Sequence, residues 1–209
     1  MAASLAVLLR WKDPRNNQDF GRVYSWGALK LFGLRLEVEG LEYLNSQPCI
    51  YVANHQSFFD MATFGAILPS RTVGIGKKEI QWMPFFGLFF VGGGNIIINR
   101  KKKSHSVAGL VHAVSEMRRR GLSIWIFPEG TRNSWGTGLL PFKKGPFHMA
   151  IQAGVPIVPL VCSPLGRVFS WKKRHLQKGV VKIRVIPPIS TTGIPETDRK
   201  STRLNSSHA

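Results

Sequence analysis

NIIINRKKKSHSVAGLVHAVSEMRRRGLSIWIF, residues 95–127, is the stretch that decides the fold. Its first five residues are a β-branched run closed at both ends by asparagine. From Ser104 to Arg120 the apolar residues Val107, Leu110, Val111, Val114 and Met117 recur at helical spacing, and RRRG ends the segment with cations and a glycine stop. Leu122 to Phe127 is again β-rich. Strand, crossover helix and strand form the unit from which parallel sheets are built.

Reading outward, the same alternation continues in both directions. LRLEVEG (34–40) alternates apolar and polar residues, and CIYVA (49–53), TVGIG (72–76), VPIVPLV (155–161) and VVKIRVI (180–186) are further β-rich runs bounded by Gly, Pro or Asn. The pattern predicts an α/β fold with a largely buried sheet. With 209 residues, 44% of them hydrophobic, the chain has enough for one domain with a real core and too little for a second.

The uncharged stretch IQWMPFFGLFFVGGGNIIIN, Ile80 to Asn99, has the length of a membrane span. Pro84, Gly87, the Gly92 to Gly94 triplet, Asn95 and Asn99 argue against one continuous helix. The expectation is a loop or short helix, rich in Trp and Phe, that leads into the NIIIN strand. Its aromatics either dip into a bilayer, line an apolar groove or pack into the core.

The formal charge of +18 suits polyanionic partners: nucleic acid, anionic lipid head groups, phosphorylated substrates or an acidic carrier protein. Nucleic acid is disfavoured, because the aromatics lie in one uncharged block instead of being interleaved with Lys and Arg. Residues 198–209, DRKSTRLNSSHA, follow an unfinished TTGIPET, carry no periodicity and read as a translated cloning or sequencing scar. Removing Asp198, Arg199, Lys200 and Arg203 leaves a charge of +16. Residues 1–32 are expected to be a helical, membrane-associated segment that is itself truncated, with SLAVLLRW the stub of an anchor, a short interfacial helix or an ordinary terminal helix. The two cysteines, Cys49 and Cys162, each sit in an apolar run and read as buried thiols.

Three groups of residues could carry chemistry. In VANHQSFFD, His55 and Asp60 are five residues apart, which on a regular helix would turn them about 140° from each other. They meet only if His55 lies on a strand-to-helix turn and Asp60 on the helix that follows. A carboxylate-held imidazole is a general base for a hydroxyl; the bland alternative has Asn54 or Ser57 capping the helix and His55 incidental. The second group is FPEGTR, Phe127 to Arg132, where Glu129, Gly130, Thr131 and Arg132 follow a buried strand, with Lys143 and Lys144 shortly after. Arg132 suits a phosphate, since its planar fork engages two oxygens, although a surface turn with a Glu-Arg pair has the same sequence. The third comprises Arg100, at the end of NIIIN, and Lys77, after TVGIG. No His and Cys share a metal-ligand spacing and GGGN lacks the Lys-Ser/Thr of a phosphate loop, so no metal and no cofactor are expected.

In order and approximate spacing, NHQSFFD, GGGNIIINR, FPEGTR and VPIVPLV resemble the four motifs of the glycerolipid acyltransferase family, over about Gly33 to Pro188. The resemblance implies an acyltransferase domain at 33–190, a single mixed β-sheet flanked by helices in the manner of glycerol-3-phosphate acyltransferase. It implies His55 and Asp60 as the catalytic dyad, with Lys77, Arg100, Glu129, Gly130, Thr131 and Arg132 binding substrate. The implied reaction moves an acyl group from acyl-CoA or acyl-carrier protein to the sn-2 hydroxyl of lysophosphatidate, at the cytoplasmic face of the bacterial inner membrane. Asn95-Ile96-Ile97 departs from the family, which more often places an aromatic residue there.

Overall fold

The structure, a computed structural model, describes residues 10–46, 48–98, 103–133, 138–170 and 175–194. Arg100, the lysines 101 and 102, residues 1–9 and the segment 198–209 lie outside the described residues.

Seven strands form one sheet: β1 (Leu34–Glu39), β2 (Ile50–Ala53), β3 (Thr72–Lys77), β4 (Ile96–Ile98), β5 (Ser123–Ile126), β6 (Ile157–Cys162) and β9 (Gly179–Val185), in the order β1-β9-β6-β2-β5-β3-β4. A small hairpin, β7 (Phe169–Ser170) with β8 (His175–Leu176), stands apart. The strands β6, β2, β5, β3 and β4 are mutually parallel, and β9 joins β6 antiparallel, carrying β1 with it. The sheet is therefore mixed, as expected. Among the described residues the helices are α1 (Arg15–Phe32), α2 (Asp60–Gly65), α3 (Phe86–Gly92), α4 (Lys103–Arg120) and α5 (Gly145–Ala153).

The parallel block puts the C-terminal ends of β2, β3, β4, β5 and β6 along one edge. His55 follows β2, Lys77 ends β3 and Glu129 to Arg132 follow β5. Residues that are far apart in the sequence share an edge because every crossover returns the chain in the same direction.

Alternation across each strand divides the core into two layers. On β2, Tyr51 and Ala53 face one layer with Phe64 and Trp125, while Ile50 and Val52 face the other with Val73, Ile124 and the helices α4 and α5. In α4 the buried stripe is Ala113, Val114 and Met117, with Leu110 partly buried against it. Val111 is a correction, since it is 49% exposed: it lies about 100° around the helix from Leu110, past the edge of the face that meets the sheet. Gly121 ends α4 at φ 60°, and the N–H of Leu122 bonds back to Met117 O (3.0 Å), the closure that RRRG predicts.

Residues 80–98 of the uncharged segment run through the end of a 3₁₀ turn (Lys78–Trp82), then α3, then β4, which agrees with the broken-helix reading; Asn99 lies outside the described residues. The segment's glycine triplet receives α1. Asn16 Nδ2 donates to Gly92 O (2.9 Å) and Asn17 Nδ2 to Gly93 O (3.0 Å). A Cβ at Gly93 would lie 1.9 Å from Asn17 Oδ1, and Gly94 holds φ 65°. Glycine is therefore required sterically at one position and conformationally at the next. Asn95 accepts from Gly74 N (2.6 Å) and donates to Asn17 Oδ1 (2.7 Å). It ties β3 to α1.

Candidate active site

After Ala53 the chain leaves β2 and turns through Asn54, His55 and Gln56 before entering α2 at Asp60. The turn brings His55 Nδ1 to 2.7 Å from Asp60 Oδ2, the meeting that a continuous helix would forbid. The same Oδ2 accepts the backbone N–H of Gln56 (2.7 Å) and of Ser57 (3.0 Å). An oxygen that already accepts two N–H bonds is an acceptor for the imidazole as well, so the neutral tautomer that fits this contact carries its proton on Nδ1 and its lone pair on Nε2. Asp60 is 1% exposed, and the imidazole is stacked on Phe127. An imidazole held by a buried carboxylate in this way can serve as a general base for a hydroxyl.

The alternative reading of NHQS as a simple cap does not describe these residues. The Asn54 side chain donates to Cys162 O (3.0 Å) and accepts from Cys162 N (2.8 Å). Gln56 Nε2 donates to Cys162 O (3.1 Å) and Ser163 O (3.0 Å), while its Oε1 accepts from Leu165 N (2.9 Å). The turn is thereby anchored to the end of β6. Ser57 Oγ does accept the N–H of Phe59 (3.0 Å) at the start of α2.

Glu129 is 2% exposed. Its Oε1 accepts the backbone N–H of His55 (2.7 Å) and its Oε2 that of Leu140 (3.0 Å). The Asn133 N–H donates in turn to His55 O (2.7 Å). Gly130 takes φ 71° and spends its N–H on Phe127 O (3.1 Å), so the turn needs glycine for its backbone. The next amides, of Thr131 and Arg132, have no partner among the described residues. Lys143 lies beside this turn: its N–H bonds to Pro128 O (2.7 Å), and its side chain would contact a Cβ placed on Gly130.

A cavity of about 250 Å³ opens at this edge. Its walls are largely aromatic and aliphatic, with Phe20 and Tyr24 from α1, Met61 from α2, and Phe86, Phe89 and Phe90 from α3; His55 and Arg132 stand at the polar part of its lining. Burial holds the Tyr24 hydroxyl above its ordinary pKa. Lys77 is exposed at the end of β3 and outside the cavity lining. The buried Cys162 is pushed up to about 12, by burial first and by the Asp60 charge second. A thiol held in this way is not a nucleophile at neutral pH. Among the described residues no group of three or more His, Cys, Asp or Glu side chains could hold a metal ion.

Asn54, Gln56 and Phe127 join the candidates only through the structure, which also sets Lys143, already a candidate in the sequence, beside the Gly130 turn. Asn54, Gln56 and Phe127 adjoin quoted motifs, but neighbourhood alone carries no role. The contribution of α1 to the cavity had no signal in the sequence at all.

Residues 35–163 match the family model described as Acyltransferase. The chain is 38% identical over 193 residues to the 1-acyl-sn-glycerol-3-phosphate acyltransferase of Escherichia coli (strain K12), covering 90% of this chain and 76% of that protein. It is 41% identical over 200 residues to the 1-acyl-sn-glycerol-3-phosphate acyltransferase beta of Homo sapiens, covering 94% and 71%. The crystal structure of the 1-acyl-sn-glycerophosphate acyltransferase of Thermotoga maritima has the same fold, with a TM-score of 0.73 at 21% identity over 93% of this chain and 77% of that one.

Proposed function

The chain belongs to the acyltransferase family, and from that premise we propose that it transfers a fatty acyl group from acyl-CoA or acyl-carrier protein to the sn-2 hydroxyl of 1-acyl-sn-glycerol-3-phosphate, giving phosphatidate. The observation that carries this reading is the His55–Asp60 contact of 2.7 Å beside an apolar cavity that Arg132 also lines.

His55 Nε2 removes the proton from the acceptor hydroxyl, and the oxygen attacks the thioester carbonyl. A C–O bond forms, the carbonyl becomes an oxyanion, and its collapse expels the thiolate, which takes up a proton as free CoA or carrier thiol. Asp60 holds the imidazole in the required tautomer and stabilises the imidazolium. The oxyanion needs N–H donors, and with the Gly130 amide bonded to Phe127 O, those of Thr131 and Arg132 are the candidates. The Arg132 guanidinium, Lys77, Arg100 and Lys143 supply positive charge for the acceptor phosphate. The apolar cavity holds an acyl chain.

Beside that cavity Trp82 (79% exposed), Phe85 (85%), Met83 and Leu88 point to solvent, as do Val23, Trp26 and Leu31 of α1. Exposed aromatics next to a lipid-binding cavity on a basic protein suit contact with an anionic membrane surface. On this reading the enzyme works at the cytoplasmic face of the membrane. Among the described residues no helix is long and apolar enough to cross a membrane.

The test offers purified protein lysophosphatidate and glycerol-3-phosphate in parallel with palmitoyl-CoA, and follows thiol release and lipid product. Phosphatidate from lysophosphatidate is expected; preference for the unacylated acceptor or for another lysolipid would reassign the substrate. A His55→Ala protein that still supports function would return the chain to the alternative of a non-catalytic basic membrane-binding protein.

A further inference from the structure

A buried carboxylate is costly unless it is hydrogen-bonded. Glu129 forms no ion pair with a described cation, and both its oxygens point at backbone amides, His55 N–H at 2.7 Å and Leu140 N–H at 3.0 Å. It is not part of the cavity lining. The His55 peptide is thus gripped at both ends by one loop, since the Asn133 N–H holds its carbonyl at 2.7 Å. The same carboxylate ties on the 138–143 segment, which is bonded back through Lys143 N–H to Pro128 O.

Resting on the acyl-transfer reading, we propose that Glu129 is a positioning residue that clamps the backbone of the base His55 to the turn bearing Arg132, and is not a ligand of the acceptor. Its side chain sets where the imidazole starts from, while Asp60 and Phe127 set where it points. General-base catalysis requires Nε2 within hydrogen-bond reach of the hydroxyl it deprotonates, so a shift of the His55 backbone acts on the chemical step.

Two substitutions test this. Glu129→Gln leaves one acceptor oxygen for two N–H groups and loses one bond whichever way the amide faces. Glu129→Asp keeps the charge but is one methylene too short to span both. At saturating donor, each is expected to lower kcat about tenfold or more, with the KM for lysophosphatidate within about twofold of wild type. Peptides covering residues 54–60 and 138–143 are expected to exchange amide hydrogens faster in both variants, with the far-ultraviolet spectrum retained. A raised KM with kcat preserved would make Glu129 an acceptor ligand and overturn the proposal. Unchanged exchange at both segments, or full activity in Glu129→Asp, would overturn it as well. If wild type fails to acylate lysophosphatidate, the functional reading falls, while the exchange measurement still decides the clamp.

Discussion

Phe127 lies flat against the His55 imidazole, with ring centroids 4.0 Å apart and planes 12° from parallel. Asp60 fixes one ring nitrogen, and the Phe127 face removes the remaining freedom to swing about the Cβ–Cγ bond. An aromatic contact of this kind is worth about 0.5–1.5 kcal/mol beyond its buried area. Phe127→Leu is therefore expected to lower kcat about two- to tenfold with the fold intact, measured by steady-state acyl transfer alongside thermal melting.

His55→Ala removes the proposed base and is expected to lower turnover by at least about a hundredfold. Asp60→Asn should cost about as much, because a carboxamide can offer its NH₂ to Nδ1 and so select the wrong tautomer. Both proteins should still bind acyl-CoA, which equilibrium dialysis would detect. Near-wild-type turnover in either would contradict the mechanism.

Arg132 is exposed at the cavity edge and forms no ion pair with a described carboxylate, so its charge is available to the acceptor. Arg132→Ala is expected to raise the KM for lysophosphatidate about ten- to a hundredfold, the worth of a charge-assisted contact, and to leave melting nearly unchanged. Arg132→Lys should recover part of the loss, since the point charge survives and the two-oxygen fork does not.

Gly21 of α1 meets Gly65 of α2 so closely that a Cβ on Gly21 would lie 2.8 Å from Gly65 O. Gly21→Leu therefore cannot keep the helices at this separation. Overpacking of this sort costs about 1–3 kcal/mol. Because α1 carries Phe20 and Tyr24 of the cavity wall, the variant is expected to lose activity on long acyl chains together with stability in urea.

Burial pushes the Cys49 thiol up to about 11 and Cys162 up to about 12. Both folded values lie above the ordinary thiol value of about 9, so the folded state favours the protonated form. The associated stability is fully present below about pH 9 and is lost as pH rises toward the folded values, because the unfolded chain ionises first. Native protein at pH 8 should react with a thiol reagent only after denaturation. Urea stability of Cys162→Ala should fall less between pH 9 and 11 than that of wild type.

The elements were legible because periodicity is local. NIIIN, LSIWIF and the helix between them declared themselves by spacing, and RRRG marked a helix end that Gly121 closes in the left-handed region. The His55–Asp60 contact was legible only as a motif in company, since five residues along a helix separate two side chains. Val111 was misread because a helical repeat gives a face but not where the neighbouring sheet stops. Nothing local distinguishes GGGN as a socket for α1, because the two asparagines that fill it, Asn16 and Asn17, lie more than seventy residues earlier.

The sequence by itself determined an α/β chain, a basic surface, two buried cysteines and a short set of residues able to move a proton and hold a phosphate. Those follow from residue chemistry and short-range spacing. Only the tertiary structure decided that Glu129 bonds backbone rather than facing the cavity, that Phe127 pins the imidazole and that α1 walls the cavity. Each depends on which groups the parallel strands deliver to one edge, and hydrogen bonds and ring contacts act over a few ångströms, whatever the distance along the chain.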